Sequence, residues 1–530
     1  NDYSSLAVKK TCFAILLLCM VSTIFQMIYN IEVRDAYSAF VFSGRTHRGG
    51  GYLGALICSI LYKELGGAGS VLVVLLISVI SLILVTERSL LSFLKKAVDF
   101  FTVEGYEEDI EERLAKKKRK AKEEDYKLMR ILIHTDEYYP TAQACSYRMR
   151  TMADAFIDQG DEVVVIASST NKGNGKIEQR REKILYSPAI RMKKKTTVMR
   201  MLNNFSFGFT SIFTALKAGK IDVVITTSPP PLVSIPGWII AKCKGAKLAY
   251  DVRDIWPDVA LEMGSFTEGS IYCKIFRTIT RFMYKHADWV TTVSPGKVKK
   301  IKNHVISVGG KKGGVDHTDK VKLVGNGFDE SVENSVIDNE LIVQYELDKK
   351  FTCVYVGNIG LAQGLGALLD MAEQSKHKEA QFLLFGKGAE KEMLEQQAKD
   401  RGLDNVHFCG VLPHEKVYTL LSYAKMSFIP LKNSNMKDSI PTKVYEALGI
   451  GCPVLLVAEG DSCDIVNESE MGRCVSPDHT EKLAEIFDEM IENYSTYSEH
   501  RTKARKLMHE KYSRQQIAIA FEKQLHELLN

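Results

Sequence analysis

From Arg130 onward the chain alternates short unbroken apolar runs with helix-length stretches, and that alternation admits one fold class. Arg130-Ile-Leu-Ile-His134, Glu162-Val-Val-Val-Ile-Ala167, Asp222-Val-Val-Ile-Thr-Thr227, Lys247-Leu-Ala-Tyr-Asp-Val252 and Trp289-Val-Thr-Thr-Val293 form a first set. Phe351-Thr-Cys-Val-Tyr-Val-Gly357, Gln381-Phe-Leu-Leu-Phe-Gly386, Val406-His-Phe-Cys-Gly410 and Met426-Ser-Phe-Ile-Pro-Leu431 form a second. An apolar run without alternation marks a strand covered on both faces, and the helices between such runs supply the crossovers of a parallel sheet. The class is therefore α/β, with two Rossmann-like lobes expected over 128–330 and 331–511. Ligands of such sheets sit at the carboxyl ends of the strands.

At 530 residues the chain exceeds one ordinary domain. A net charge of +5 gives no reason to expect a nucleic-acid partner. The 11 cysteines include no Cys-x-x-Cys pair and read as reduced thiols of a cytosolic protein. Neither Asp-x-Asp nor His-Glu-x-x-His occurs, so no metal ligand is predicted and no cofactor is expected.

Residues 1–100 are of a different kind. The run 11–30 is nearly all apolar and about 20 residues long, the length of a bilayer span. A second span is expected at 70–86, with Tyr52–Tyr62 between them as a re-entrant or interfacial piece. Lys9 and Lys10 precede the first span, and Lys116-Lys-Lys-Arg-Lys-Ala-Lys122 comes after the second, which places both ends in the cytoplasm. Residues 101–127 alternate acidic and basic clusters and read as a charged linker. Residue 1 is Asn, so a truncated or processed start is expected, and Met129 would suit the start of a free-standing enzyme.

The chemistry concentrates in Asp438-Ser-Ile-Pro-Thr-Lys-Val-Tyr-Glu446. Pro441 suits a helix start, where free N–H groups and the helix dipole attract an anion. Lys443 adds a full charge there. Glu446, three residues on, shares its face and can accept from two neighbouring hydroxyls, as on a ribose. Gly449 and Gly451 are expected to end the helix. The same nine residues suit an ordinary surface helix equally well. Gly357, Asn358, Gly360 and Gln363 after one strand, and Gly386 and Gly388 after the next, form glycine loops that let backbone approach a phosphate. Asp251-Val-Arg253-Asp254-Ile-Trp256-Pro257 gathers two carboxylates, a guanidinium and an indole at a strand end; an Asp251–Arg253 ion pair and a core Trp256 are the alternatives. Ala189–Gly219 interleaves Arg191, Lys193–Lys195 and Arg200 with Met and Phe. It suits either a membrane-interface helix or a solvated basic loop before a core helix.

The Asp438–Glu446 segment resembles the donor-sugar motif of family 4 glycosyltransferases, with two carboxylates eight residues apart. Over residues 128–530 the order of motifs is similar to that family, and Arg253-Asp254-Ile-Trp-Pro257 with Ile440-Pro-Thr-Lys443 resembles its WbuB-type subgroup. The resemblance implies the GT-B arrangement of two facing lobes, with residues 512–530 a C-terminal helix returning to the first. Gly49-Gly-Gly-Tyr-Leu-Gly54 and Gly66-Gly-Ala-Gly69 resemble the membrane domain of FtsK/SpoIIIE DNA translocases, whose phosphate-binding motor motif is missing here.

The reaction implied by the resemblance is a retaining, metal-independent transfer from a UDP-sugar, hexosyl or N-acetylhexosaminyl, to a lipid-linked glycan. A bacterial cytoplasmic membrane location is implied too, with membrane lipid as a further partner and the lobes in the cytoplasm. Asp254, Arg253, Asp438 and Lys443 would be the catalytic residues. Glu446, Lys443, Thr442, Gly357, Asn358, Gly360, Gln363, Gly386 and Gly388 would hold the donor. The chain departs from the family's pattern in having Asp438 for Glu, Arg253 for His, Asn358 and Gln363 for Arg and Lys, and Ala142-Gln-Ala144 for a glycine pair. A UDP-sugar epimerase of the same fold and a non-catalytic membrane scaffold are the competing readings.

Overall fold

The computed structural model describes residues 2–29, 37, 41, 49–86, 128–141, 144–171, 180–192, 196–264, 266–309, 317–361 and 363–529. The charged linker 101–127, the triad Lys193–Lys195, the Ala142-Gln143 pair and the glycine-rich 310–314 lie outside those residues. The chain divides into two compact units, Asn1–Tyr126 with Ile190–Ser206, and Lys127–Ala189 with Phe207–Asn530.

In the first unit the helices Asp2–Tyr29 and Gly51–Thr86 lie side by side. Their approach is close because a Cβ on Gly50 or Gly54 would run into the Ser22 carbonyl. Gly50 N donates to Gln26 Oε1 at 3.1 Å, and Ser22 Oγ donates to the Gly50 carbonyl. Thr23, Gln26, Ala55 and Cys58 are buried, whereas Ile15, Leu18, Phe25, Ile28, Leu53 and Ile60 are exposed. Two expectations are corrected. Tyr52–Tyr62 is not a separate re-entrant piece but is continuous with 70–86 in one helix, because Gly66-Gly-Ala-Gly69 does not interrupt it. A helical glycine costs only about 1 kcal/mol against Ala, too little to break a helix of 36 residues. Among the described residues no helix is long and apolar enough to cross a membrane, so spans at 11–30 and 70–86 are not supported.

The second unit holds two all-parallel sheets. The first comprises β1 (Arg130–His134), β2 (Glu162–Ser168), β3 (Lys183–Ser187), β4 (Val223–Ser228), β5 (Lys247–Val252), β6 (Trp289–Thr292) and β7 (Val321–Leu323), in the order β3-β2-β1-β4-β5-β6-β7. The second comprises β8 (Thr352–Val356), β9 (Gln381–Phe385), β10 (Val406–Gly410), β11 (Met426–Pro430), β12 (Val454–Val457) and β13 (Gly472–Val475), in the order β10-β9-β8-β11-β12-β13. Each sheet winds outward in both directions from its first strand, so each opens a crevice at the strand ends where the order reverses. In the first that point is β1/β4, with Ile133 level with Ile225; in the second it is β8/β11, with Cys353 level with Met426. The edge strands β3, β7 and β13 escape a search for apolar runs because an edge is covered less completely. Lys183, Leu323 and Arg473 are exposed there.

Two chain crossings join the lobes, and they pair with each other. Phe328 N donates to Tyr512 O at 2.7 Å, and Arg514 N to Phe328 O at 2.9 Å. Gly327 has φ +64°, and a Cβ there would press on the Tyr512 carbonyl. Arg514 Nη1 meets Asp329 Oδ2 at 2.8 Å, and both residues are buried. Phe328 is fully buried and touches the helix Thr442–Ile450 at Gly449, where a Cβ would stand 2.5 Å from its Cε2. Gly449 therefore admits a ring and does not end that helix, which runs to Ile450 and closes on Gly451 at φ +87°. After the second crossing, the helix Arg514–Leu529 lies on Ala144–Asp158, with the Phe156 and Phe521 rings 6.2 Å apart. Phe328→Ala is expected to destabilise the protein by about 3–5 kcal/mol, the usual cost of emptying a buried ring site. Urea unfolding of the full chain measures it as a lower midpoint.

Candidate functional site

The crevice at β8/β11 is built by two loops and one helix start. The helix Thr442–Ile450 begins after Pro441 with no side-chain cap, so its first N–H groups are left for a ligand or water. Lys443, in its first turn, folds back over the Tyr355 ring, with Nζ 4.3 Å from the ring centre and 3.1 Å from Tyr355 Oη. Gly357 makes this possible, since a Cβ there would lie 2.5 Å from Lys443 Nζ. Burial pulls the Lys443 ammonium down to about 8, and the Glu446 carboxylate opposes that fall. Glu446 is half-buried, one turn along, and makes no hydrogen bond or ion pair among the described residues. Its charge acts on Lys443, on Tyr147 and on Arg514.

The other glycines serve chiefly to interlock the loops. A Cβ on Gly386 would strike the Gly357 carbonyl, and one on Gly388 the Ile359 carbonyl. Gly357 N donates to Phe385 O at 2.8 Å, Ile359 N to Lys387 O at 3.0 Å, and Gly386 N to Gly410 O at 2.6 Å. Tyr355 Oη donates to Asn358 O at 2.5 Å, which pins the loop from below. Gly360 leaves room for the Asn358 amide. The Asn358 side chain is exposed, whereas Gln363 and Thr442 are half-buried.

The structure does not bring Asp438 into this group. Its carboxylate meets Lys300 Nζ of the first lobe at 2.8 Å, Lys300 also reaches Glu262 at 3.2 Å, and Ser294 Oγ donates to the Asp438 carbonyl at 2.6 Å. Next to it, Gly296 N donates to Asp461 Oδ2 at 2.7 Å. Asp438 and Asp461 thus fasten one lobe to the other.

Facing them, at the strand ends of the first lobe, Arg253 Nη2 donates to Pro229 O at 2.8 Å. Lys297 Nζ joins Asp254 Oδ1 at 3.1 Å and the Arg253 carbonyl at 2.5 Å. Asp251 pairs with Arg148 at 3.1 Å and accepts from Thr291 Oγ1 at 2.8 Å, so the Asp251–Arg253 pair is not formed. Arg148 wins because it comes from the facing helix and is locked there by the carbonyls of Val324 and Gly325. Trp256 stacks edge-on against Phe266 and Phe276, 5.9 and 5.3 Å away, in an aromatic cluster. Asp136, after β1, carries no motif that would mark it in the sequence. Burial, with Glu137 beside it, pushes its carboxyl up to about 7, and Arg253 opposes the rise. Tyr147, His414 and Arg514 are equally unmarked by any motif. The Tyr147 and His414 rings stack at 4.5 Å across the lobes, and with Arg514 they line a cavity of about 810 Å³. In the basic stretch, Arg191 and Met192 are exposed, and Phe207 enters the core of the second unit. Asn203 Nδ2 donates to Ile190 O at 2.7 Å and so closes the segment on itself. Among the described residues one group could hold a metal, Asp161 with Glu522 and His526, at the amino end of β2.

Comparison with known proteins places this geometry. Residues 144–307 match the glycosyl transferase 4-like domain, and residues 338–507 match glycosyl transferases group 1. Both lobes are glycosyltransferase-like. Residues 3–98 match the 4TM region of DNA translocase FtsK/SpoIIIE. The chain is 24% identical over 380 residues to the putative colanic acid biosynthesis glycosyl transferase WcaI of Escherichia coli K12, covering 67% of this chain and 90% of that one. It is 22% identical over 288 residues to the probable glycosyltransferase WbjE of Pseudomonas aeruginosa, covering 52% and 68%. Anabaena HepE, crystallised with UDP and glucose, superposes with a TM-score of 0.57 at 17% identity, over 75% of this chain and 100% of its own. WaaG, a glycosyltransferase involved in lipopolysaccharide biosynthesis, gives 0.56 at 14% identity, over 76% and 99%. The fold is GT-B, and the matches support a glycosyltransferase.

The Lys443 environment has a titration consequence. Its folded value, about 8, lies below the free-lysine value of 10.5, so the amine is charged below pH 8 and neutral well above it. An anion held by that charge should bind progressively more weakly as pH rises past 8, approaching about tenfold per unit. Titration calorimetry with UDP between about pH 7.5 and 9.5, the range that brackets this value, should show the fall in the wild type and a flat profile in Lys443→Met.

Proposed function

We propose that this chain transfers a sugar from a UDP-sugar to a lipid-linked glycan in bacterial surface-polysaccharide synthesis. The observation that carries the reading is the pairing, on one helix turn, of an uncapped start holding Lys443 with an unpartnered, half-buried Glu446. A diphosphate at the helix start would draw Lys443 off Tyr355, and the ribose diol would supply the donors that Glu446 lacks. Charge grows on the diphosphate as the sugar–oxygen bond breaks, so the N–H groups and Lys443 act most strongly in the transition state. The loops at 357–363 and 386–388 hold that geometry because each is locked against the other's backbone. The acceptor would enter from the first lobe, where Arg253, Asp254 and Asp136 stand at the strand ends. With its carboxyl near 7, Asp136 is suited to take the acceptor's hydroxyl proton.

The UDP-sugar reading is supported by HepE, which was crystallised with UDP-glucose as well as with UDP. WcaI, named for colanic acid biosynthesis, and WaaG, for lipopolysaccharide biosynthesis, support a surface-glycan acceptor. Retention at the anomeric carbon, independence of metal and the WbuB-type subgroup remain parts of the proposal that rest on the motifs. Membrane attachment through the first unit is proposed on the FtsK/SpoIIIE match and on its outward apolar side chains. In it Ser22 and Gln26 turn toward the neighbouring helix, the arrangement expected where the surroundings are apolar.

Mass spectrometry of products from a panel of UDP-sugars with membrane lipid extract tests the transfer. Sugar-bearing lipid is expected; isomerised UDP-sugar formed without any acceptor would select the epimerase instead. Glu446→Gln should weaken UDP binding by about 1.5–3 kcal/mol, the range for hydrogen bonds to a charged group. Unchanged calorimetric affinity in that folded variant would remove Glu446 from the site.

A further inference from the structure

The group Asp161, Glu522 and His526 lies far from the crevice just described. Asp161 sits between Gly160, at φ +106°, and the first residue of β2, hence at the amino ends of the strands. Its Oδ1 accepts from Met129 N at 2.9 Å, just before β1. The catalytic crevice opens at the carboxyl ends, a strand's length away. Glu522 and His526 stand one turn apart on the returning helix Arg514–Leu529, with His526 Nε2 2.7 Å from Glu522 Oε1. The ligand atoms of all three residues lie within 4.8 Å of one another.

Two observations make this more than a chance gathering. Asp161 and Glu522 are 4% and 1% exposed, deep enough that each carboxylate needs a partner. Yet no donor group among the described residues reaches Asp161 Oδ2 or Glu522 Oε2, and the two carboxyl groups face each other within the cluster. One imidazole cannot offset two buried carboxylates. A divalent cation would satisfy the unpartnered oxygens and balance the charge together. Two carboxylates with one imidazole form a mixed oxygen and nitrogen set, which suits zinc and its first-row neighbours.

We propose that Asp161, Glu522 and His526 form a divalent transition-metal site that fastens the C-terminal helix to the base of the first lobe. The site takes no part in sugar transfer. Its ligands come from the two ends of the second unit, so it closes nearly the whole of that unit into one loop.

The test uses the full-length protein without nucleotide, stripped of metal and titrated with Zn²⁺ and with Co²⁺. One equivalent should bind. The Co²⁺ form should show visible ligand-field absorption, and the thermal midpoint should rise with added Zn²⁺. Glu522→Gln and His526→Gln should each weaken metal binding at least about tenfold and remove the midpoint shift, with UDP affinity unchanged as the check on folding. No Co²⁺ absorption and no midpoint shift in the wild type would overturn the proposal, and so would absorption that persists in both variants. A failure of UDP binding in the wild type would count against the transferase reading alone.

Discussion

The pairing of the two interlobe crossings sets the relation of everything else. Backbone hydrogen bonds tie Phe328 to Tyr512 and Arg514, and the buried Arg514–Asp329 pair lies across them. An ion pair so desolvated adds little net stability, but removing either partner leaves a buried charge. Phe328 then reaches into the second lobe to touch Gly449, on the helix that also bears Lys443 and Glu446. The crossing and the helix Thr442–Ile450 are therefore one packed object. A change in lobe angle at the crossing moves the helix start directly, without an intervening loop to absorb it. The Lys300–Asp438 and Gly296–Asp461 contacts fix the same angle on another side.

Much of this architecture is legible in the sequence because strand burial is a local property. A run such as Ile131-Leu-Ile133 is apolar whatever it pairs with, and it becomes a central strand. The helix start after Pro441 is legible for the same reason, since the backbone preference of proline acts over only a few residues. Pairing is not local. Asp251 stands two residues from Arg253 and yet binds Arg148, which approaches on a separate helix. Asp438 is eight residues from Glu446, but the chain carries it to the facing lobe, where Lys300 takes it. No motif spacing reports such a choice; it depends on which surface folds against which. The metal-ligand group is an extreme case, because only the returning helix brings its members together.

The N-terminal unit shows the opposite limit. Its composition says apolar helix plainly, but not where one helix ends. Gly66-Gly-Ala-Gly69 looks like a break and is traversed without one. Glycine's meaning depends on its neighbours throughout this chain. Gly50 and Gly54 admit another helix, Gly449 admits a ring, and Gly386 and Gly388 admit a carbonyl. Only at Gly357 does the vacated space receive the group on which the proposed chemistry depends.

That space has a bearing on turnover. Lys443 resting against Tyr355 is a cation already provided with company, an aromatic face and a hydroxyl, and is not a bare charge. On the proposed reading, a departing diphosphate would leave the ammonium free to return to the ring, exchanging one electrostatic partner for another. If the proposed transfer holds, a site arranged in this way would trade some grip on its donor for quicker clearance, which favours repeated cycles where product release is the slow step.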